Sequence, residues 1–364
     1  MVKSFPFRVP LHKNQQFRDL KTQLFLVSLH SMKLDPIKLF LFVGSFCIYN
    51  AWTQDIHWSQ YNDNQLFLNP ANAGHFNGDL RVIGNYRDQW RSVTVPFSTF
   101  SFSVDKTIKK MGVGLLAFRD QVGDGKLSTI ELQGNLSYHL KLSADSTHNL
   151  RGGLNVGMNH RQVNFNSFYF DSQFDGYVFD ASLPTNEVLQ RDRKTNLSLG
   201  AGILYEWVKN PRLKFNVGIS AFNLNRPNQG FFNEVVKRPV RTTSFVKATV
   251  AIAPSLDLIP SVQFSSQGTY QELVLGSAAK YYLFSENFIY RALYGGLWMR
   301  NKDAMILTLG YDYQELFVGL SYDINLSKLV PASNARGGFE IAVRYVINRF
   351  KPKRTDHRVC PDYI

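Results

Sequence analysis

Between residues 130 and 140 apolar and polar side chains alternate without a break: Ile130, Leu132, Gly134, Leu136, Tyr138 and Leu140 against Glu131, Gln133, Asn135, Ser137 and His139. A two-residue period puts each set on its own face of a β-strand, giving one apolar and one wholly polar face. The pattern returns at 196–207, where Leu197, Leu199, Ala201, Ile203, Tyr205 and Trp207 share a face, and at 339–345 with Phe339, Ile341, Val343 and Tyr345. Strands of soluble sandwiches usually run to about five or six residues. Runs of about nine or more match what a tilted strand needs to cross a bilayer. Past the N-terminal region no stretch of about 18 uncharged apolar residues occurs, so a membrane would be crossed by strands, and in lipid only a closed barrel satisfies every backbone group. Aromatic residues at 14%, with 29 Phe and 17 Tyr, and charged residues at only 19%, fit strand-rich structure.

The alternation predicts strands near 79–87, 97–105, 111–119, 127–140, 149–159, 195–207, 212–222, 239–252, 258–266, 270–282, 287–299, 303–312, 315–323 and 337–348. The expected fold class is therefore all-β, a transmembrane antiparallel β-barrel of about 14 strands, an even number. A soluble β-sandwich is the competing fold. With the first strand starting in the periplasm, the long connections around 160–194, 223–238 and 324–336 fall on the outer side and the other turns are mostly short, the outer-membrane habit. Gly123, Asp124 and Gly125 punctuate one hairpin.

No repeat or linker divides the rest, so the expected organisation is a barrel at 79–348 between a periplasmic lead (54–78) and a periplasmic tail (349–364). Ahead of the lead, Lys33 and Lys38 precede an apolar run from Leu39 to Tyr49, then Ala51 and Thr53. That is signal-peptide anatomy, with the true start at Met32, cleavage before Gln54, and 1–53 forming an extension plus signal. The two ends of the mature chain are then both expected in the periplasm. Cys47 falls in the signal and leaves only Cys360, so no internal disulfide framework is possible. Bulky Phe46 before Cys47 argues against a lipoprotein site. Part of the formal charge of +13 belongs to the signal region. The other basic residues are scattered except at 351–354, without the basic patch of a nucleic-acid module, so nucleic acid is not an expected partner.

No catalytic constellation stands out. His57, His75, His139, His148, His160 and His357 are nowhere at zinc-site spacing, and no nucleophile elbow, P-loop or dinucleotide fingerprint follows a strand. Asp171, Asp175 and Asp180 fail the EF-hand spacing and read as a polar surface loop. Ser137, His139 and Glu131 read as lumen lining, and the glycines within strands as barrel bends. No catalytic, cofactor or metal site is expected, and no cofactor.

Four groups of segments together resemble the PorP/SprF family of outer-membrane proteins of the type IX secretion system of Bacteroidetes. They are QDIHWSQYNDNQLFLNPANAG at 54–74 with NYRDQW at 85–90; FNLNRPNQGFF at 222–232; IPSVQFSSQGTYQELVLGSAAKYYL at 259–283 with YGGLWMRNKDAMILTLGYDY at 294–313; and GLSYDINLSKL at 319–329 with GGFEIAVRY at 337–345 and the terminal CPDYI. Gly230 departs from the family's frequent Ser, and residues 1–31 have no counterpart. The motif residues are Asn69, Pro70, Ala71 and Gly74; Asn85, Arg87, Gln89 and Trp90; Asn225, Arg226, Pro227 and Asn228; Gln267, Gly268, Gly296 and Arg300; and Tyr322, Asp323, Glu340, Cys360 and Pro361, with structural or partner-binding roles. Asn69 and Pro70 suit a tight non-helical turn; Arg87 and Trp90 suit an interfacial anchor. The resemblance implies a non-enzymatic part in secretion or surface attachment of cargo proteins with C-terminal signals, adhesins used in gliding among them, with outer-membrane lipid and the other secretion components as partners. The rival from another class is a passive or substrate-binding channel for small molecules.

Overall fold

A computed structural model of the chain describes residues 55–91, 95–123, 126–165, 168–186, 191–231, 235–286, 289–327 and 330–348. The readings of the start, the signal and its cleavage, and those of the basic tail with Cys360 and Pro361, lie outside the described residues.

Fourteen strands close into one antiparallel barrel, each paired with its sequence neighbours and β1 with β14. They are β1 (Leu80–Gln89), β2 (Phe97–Ile108), β3 (Met111–Val122), β4 (Leu127–Lys141), β5 (His148–Gln162), β6 (Arg193–Asn210), β7 (Leu213–Phe222), β8 (Arg241–Ala253), β9 (Leu256–Gln267), β10 (Tyr270–Glu286), β11 (Ile289–Arg300), β12 (Ala304–Tyr313), β13 (Leu316–Asn325) and β14 (Arg336–Ile347). Expected and observed ends differ by a few residues, and the asymmetry of connections holds. The long connections, from β5 to β6, β7 to β8 and β13 to β14, leave the strands at one end, while turns such as 109–110, 211–212 and 314–315 close the other, where β1 begins and β14 ends.

Burial is inverted relative to a soluble protein. Phe100, Phe102, Leu132 and Leu154 are exposed on the outer face, whereas Ser101, Ser103, Gln133 and Asn135, from the same strands, are buried. An apolar belt outside and polar groups inside is the solution a barrel finds in lipid. The phase gives a direct test. Leu199 is 45% exposed on the outer face and Ser198, one residue earlier, 2% exposed on the inner. Leu199→Arg should cost about 2–4 kcal/mol of barrel stability, as a charge on the lipid face does, while Ser198→Ala is tolerated. Heat-modifiable gel migration reads both; equal behaviour would mean the phase is wrong.

One expectation is corrected. The lead does not hang outside the barrel but lies within it, because the inward faces supply the polar partners its backbone and side chains need. Asp55 is bonded among Asn223, Arg241 and Gln267, at the long-loop ends of β7, β8 and β9. At the other end of the segment, Asp79 donates its N–H to the carbonyl of Ile347 at the short-turn end (3.0 Å). Between them the chain makes a one-turn 3-10 helix at Tyr61–Asp63, a four-residue α-helix at Gln65–Leu68 and another 3-10 turn at Pro70–Asn72. The lead thus runs the length of the lumen from the long-loop end at Asp55 to the short-turn end at Asp79.

Candidate functional site

The lumen is the site, and toward its long-loop end lies a network of buried charges around Ser59. Arg87 of β1 lies between Asp323 of β13 (2.9 Å) and Glu340 of β14 (3.0 Å). Arg300 of β11 reaches the same Asp323 carboxylate at 3.0 Å and Glu272 of β10 at 3.5 Å. Ser59 sits at the centre: its hydroxyl donates to Asp323 (2.6 Å) and accepts from Arg300 (2.8 Å) and Arg87. The amides of Ser59 and Gln60 donate to the two oxygens of Glu340 at 2.8 and 3.1 Å. Every formal charge here is met by an opposite charge or an N–H, the condition under which buried ions are tolerated.

A second cluster holds the start of the segment. The Asp55 carboxylate faces Arg238 at 2.7 Å and Arg241 at 3.4 Å, its amide donates to Gln267 (2.6 Å), and Arg238 continues to Glu131 of β4 at 3.1 Å. Farther along, Arg81 pairs with Asp105 (2.7 Å) and bonds Gln65 and the Asn72 carbonyl, while Asp105 also accepts the Gly74 N–H (2.7 Å) and His75 meets Glu206 (2.8 Å).

The middle of the plug is seated on glycine. A β-carbon at Gly112 would overlap the Ala73 carbonyl, one at Gly153 the backbone of Pro70 and Ala71, and one at Gly202 the Asn69 side chain. These inward glycines leave room for another backbone. Their reading as barrel bends is corrected: they are contact points for residues 69–73. Gly74 has φ +66 and is pressed by Thr107 and Gly112, so both its conformation and its space call for glycine.

The motif residues separate into those the structure brings together and those it leaves apart. Asn69 does not form a non-helical turn with Pro70; its side chain caps the 3-10 turn by accepting from Ala71 N–H (2.8 Å) and donates to the carbonyls of Ile203 and Ile219, because Pro at the first position suits a helical start. Arg87 is not an interfacial anchor: it is 1% exposed inside the lumen, where the carboxylates are. Trp90, at φ 59, packs against Phe97 with ring centroids 4.7 Å apart at the strand end. Asn85 is buried on the inner face and accepts from Ser101, and Gln89 pairs with Phe97 and Gly338 at the ends of β2 and β14. Asn225 works elsewhere: where β7 stops short, its amide takes the place of a strand, accepting from Leu199 N–H (3.1 Å) and donating to the Leu197 carbonyl (2.8 Å). Arg226 adopts φ 46, the Pro227 carbonyl accepts from Arg238, and Asn228 accepts from Gly230 and Val236, together shaping 223–240. Gly268 makes the β9–β10 turn at φ 60; Gly296 leaves space for Thr308 and Trp298; Tyr322 faces outward.

Ser59, Glu272, Arg238 and Arg241 were missed as site residues. For Arg241 and Glu272 a signal was present, since with Glu131, Asp323 and Glu340 they are opposite charges on the polar phase of strands, whereas Ser59 and Arg238 lie on no strand and carried none. The loop aspartates do local work. The Asp175 carboxyl is held below the usual range by Val178 and Tyr177 N–H groups, and that of Asp180 by the hydroxyl and amide of Ser182. Among the described residues no three potential ligands cluster as for a metal ion.

The family model described as type IX secretion system membrane protein PorP/SprF matches residues 51–345. No curated protein matches the sequence. Among solved structures, the Ralstonia pickettii toluene transporter TbuX is similar at 10% identity over 79% of this chain and 94% of that one, with a TM-score of 0.48. A Pseudomonas aeruginosa FadL homologue is similar at 12% identity over 78% and 94%, with 0.43. The NanC porin follows at 10% over 74% and 100%, with 0.39. None reaches 0.5, and nothing about transport passes from them to this chain.

Proposed function

Because the chain belongs to the PorP/SprF family of type IX secretion system membrane proteins, we propose that it is a plugged, non-catalytic outer-membrane component of that system, which aids secretion or surface attachment of cargo proteins with C-terminal signals, adhesins among them. The observation that carries this reading is the family match over residues 51–345, which takes in the lead and the barrel together. Against the rival, a passive channel for small molecules, stands the occupied lumen: a channel needs a free path, and here residues 55–75 are bonded to opposite walls at both ends. The long loops, with Tyr169, Tyr177 and Val178 exposed, are the surface offered to cargo outside. The short-turn end then faces the periplasm and the other secretion components.

Loss of the protein should leave general outer-membrane permeability nearly unchanged while one or a few cargo proteins disappear from the cell surface. Surface proteomics of a deletion strain, beside uptake of a small antibiotic, reads both. Cargo that stays at its normal level removes the secretion reading, and increased or decreased uptake alone returns the channel.

A further inference from the structure

Beside the plug, between its residues 59–63 and the barrel wall, a cavity of about 230 Å³ extends to the turn at Pro211 at the short-turn end. Four cations line it: Lys214 of β7, Lys247 of β8, Lys280 of β10 and Arg344 of β14. The nearby carboxylates are already engaged. Asp63 of the plug holds Arg344 at 2.8 Å, and Asp312 reaches Lys280 (3.9 Å) and Arg344 (3.7 Å) while accepting from the hydroxyls of Tyr290 and Tyr294.

Lys214 and Lys247 are different. Among the described residues neither has a carboxylate within 4.0 Å, whereas Arg81, Arg87, Arg238, Arg241 and Arg300 each face one at 2.7, 2.9, 2.7, 3.4 and 3.0 Å. Lys214 stands opposite Thr249 and Lys247 opposite Asn216, which makes the two lysines diagonal neighbours on adjacent strands, about 7–8 Å apart at the backbone. Two like charges held that close in a half-enclosed cavity repel; Asp63 acts on Lys247 and Glu206 on Lys214 only from beyond contact, being held by Arg344 and His75, so an anion between the lysines removes the remaining penalty. Ile259 and Ala278, with the edge of the largely buried Phe317, give the same cavity apolar surface. Inorganic phosphate has no use for such a surface, whereas a peptide carrying carboxylates and apolar side chains has.

We propose that this vestibule binds an acidic peptide segment of a periplasmic protein, its carboxylates held between Lys214 and Lys247 and its apolar side chains against Ile259 and Phe317. Lysine suits the task, since it binds as a mobile point charge and does not demand a fixed bidentate geometry. The inference concerns the end of the barrel opposite the long loops and rests on the outer-membrane orientation proposed above, though not on which cargo is secreted.

The test uses the purified full chain in detergent micelles and a short capped peptide of alternating glutamate and phenylalanine, followed by calorimetry. The peptide should bind saturably, more weakly as salt rises, and its glutamine counterpart should not bind. The double variant Lys214→Gln/Lys247→Gln should weaken binding by at least about tenfold, with Lys214→Arg/Lys247→Arg retaining most of it. The glutamine variant should also unfold no more readily than the parent, because it removes a repulsion. Absent binding, binding indifferent to the double variant, or equal displacement by inorganic phosphate overturns the proposal. So does a marked loss of stability in the glutamine variant, which would make the lysines structural.

Discussion

Arg87→Ala is expected to lower the unfolding free energy of the barrel by about 3–5 kcal/mol, the cost of leaving buried charge without its partner. Among the described residues Arg87 is the one cation that touches both Asp323 and Glu340, and with its removal two carboxylates on neighbouring strands lose their shared counter-charge. What remains offsets part of this: Arg300 still holds Asp323, and the amides of Ser59 and Gln60 still hold Glu340. Arg87→Lys should recover only part of the loss, because an ammonium cannot hold two carboxylates in the fork geometry of a guanidinium. Arg91 on the same strand end supplies the contrast. It pairs with Asp88 at 2.5 Å, closer than Arg87 to either partner, yet its side chain is 73% exposed, so Arg91→Ala should leave stability unchanged within error. Urea unfolding in detergent, followed by gel migration, separates the two. Equal losses at Arg87 and Arg91 would show that burial is not what makes the network matter.

The barrel was legible because its signal is local. A period of two over ten residues, as in 130–140, fixes strand, face and length together, and the inversion of burial follows from the same phase. The lumen was not legible, because its contacts join residues far apart in sequence: Ser59 with Asp323 and Glu340, Asp55 with Arg238 and Gln267. Residues 54–74 have neither the period of a strand nor the length of a stable helix, so by local criteria they are a leader. Arg87, Arg300, Asp323 and Glu340 were singled out through family motifs without the reason they belong together. The glycines misled in the other direction. Gly153 and Gly202 look like Gly152 until something is known to lie over them, and nothing stands within 4 Å of a β-carbon at Gly152.

Those glycines allow the plug to be dislodged without touching its charges. A chain carrying Gly112→Val, Gly153→Val and Gly202→Val should keep its barrel and lose its seal, turning a silent protein into one with stable single-channel steps in a planar bilayer. Each new side chain projects into the backbone or side chain of residues 69–73, and overpacking of this kind costs about 1–3 kcal/mol at each site. The barrel can escape that cost by letting the plug move, because the strand ladders on either side are made by backbone groups that the substitutions leave alone. Residues 55–75 cannot escape while they stay in place. Gly84→Val is the control: it lies on β1 with nothing within 4 Å, so the added side chain should neither open the lumen nor alter folding. Heat-modifiable migration establishes that the triple variant is folded before conductance is read. If it misfolds, Asp55→Ala with Ser59→Ala loosens the same segment at its two charge clusters and should open the lumen through the other route. A folded triple variant that stays silent, with the double variant silent as well, would mean that residues 55–75 do not close the path.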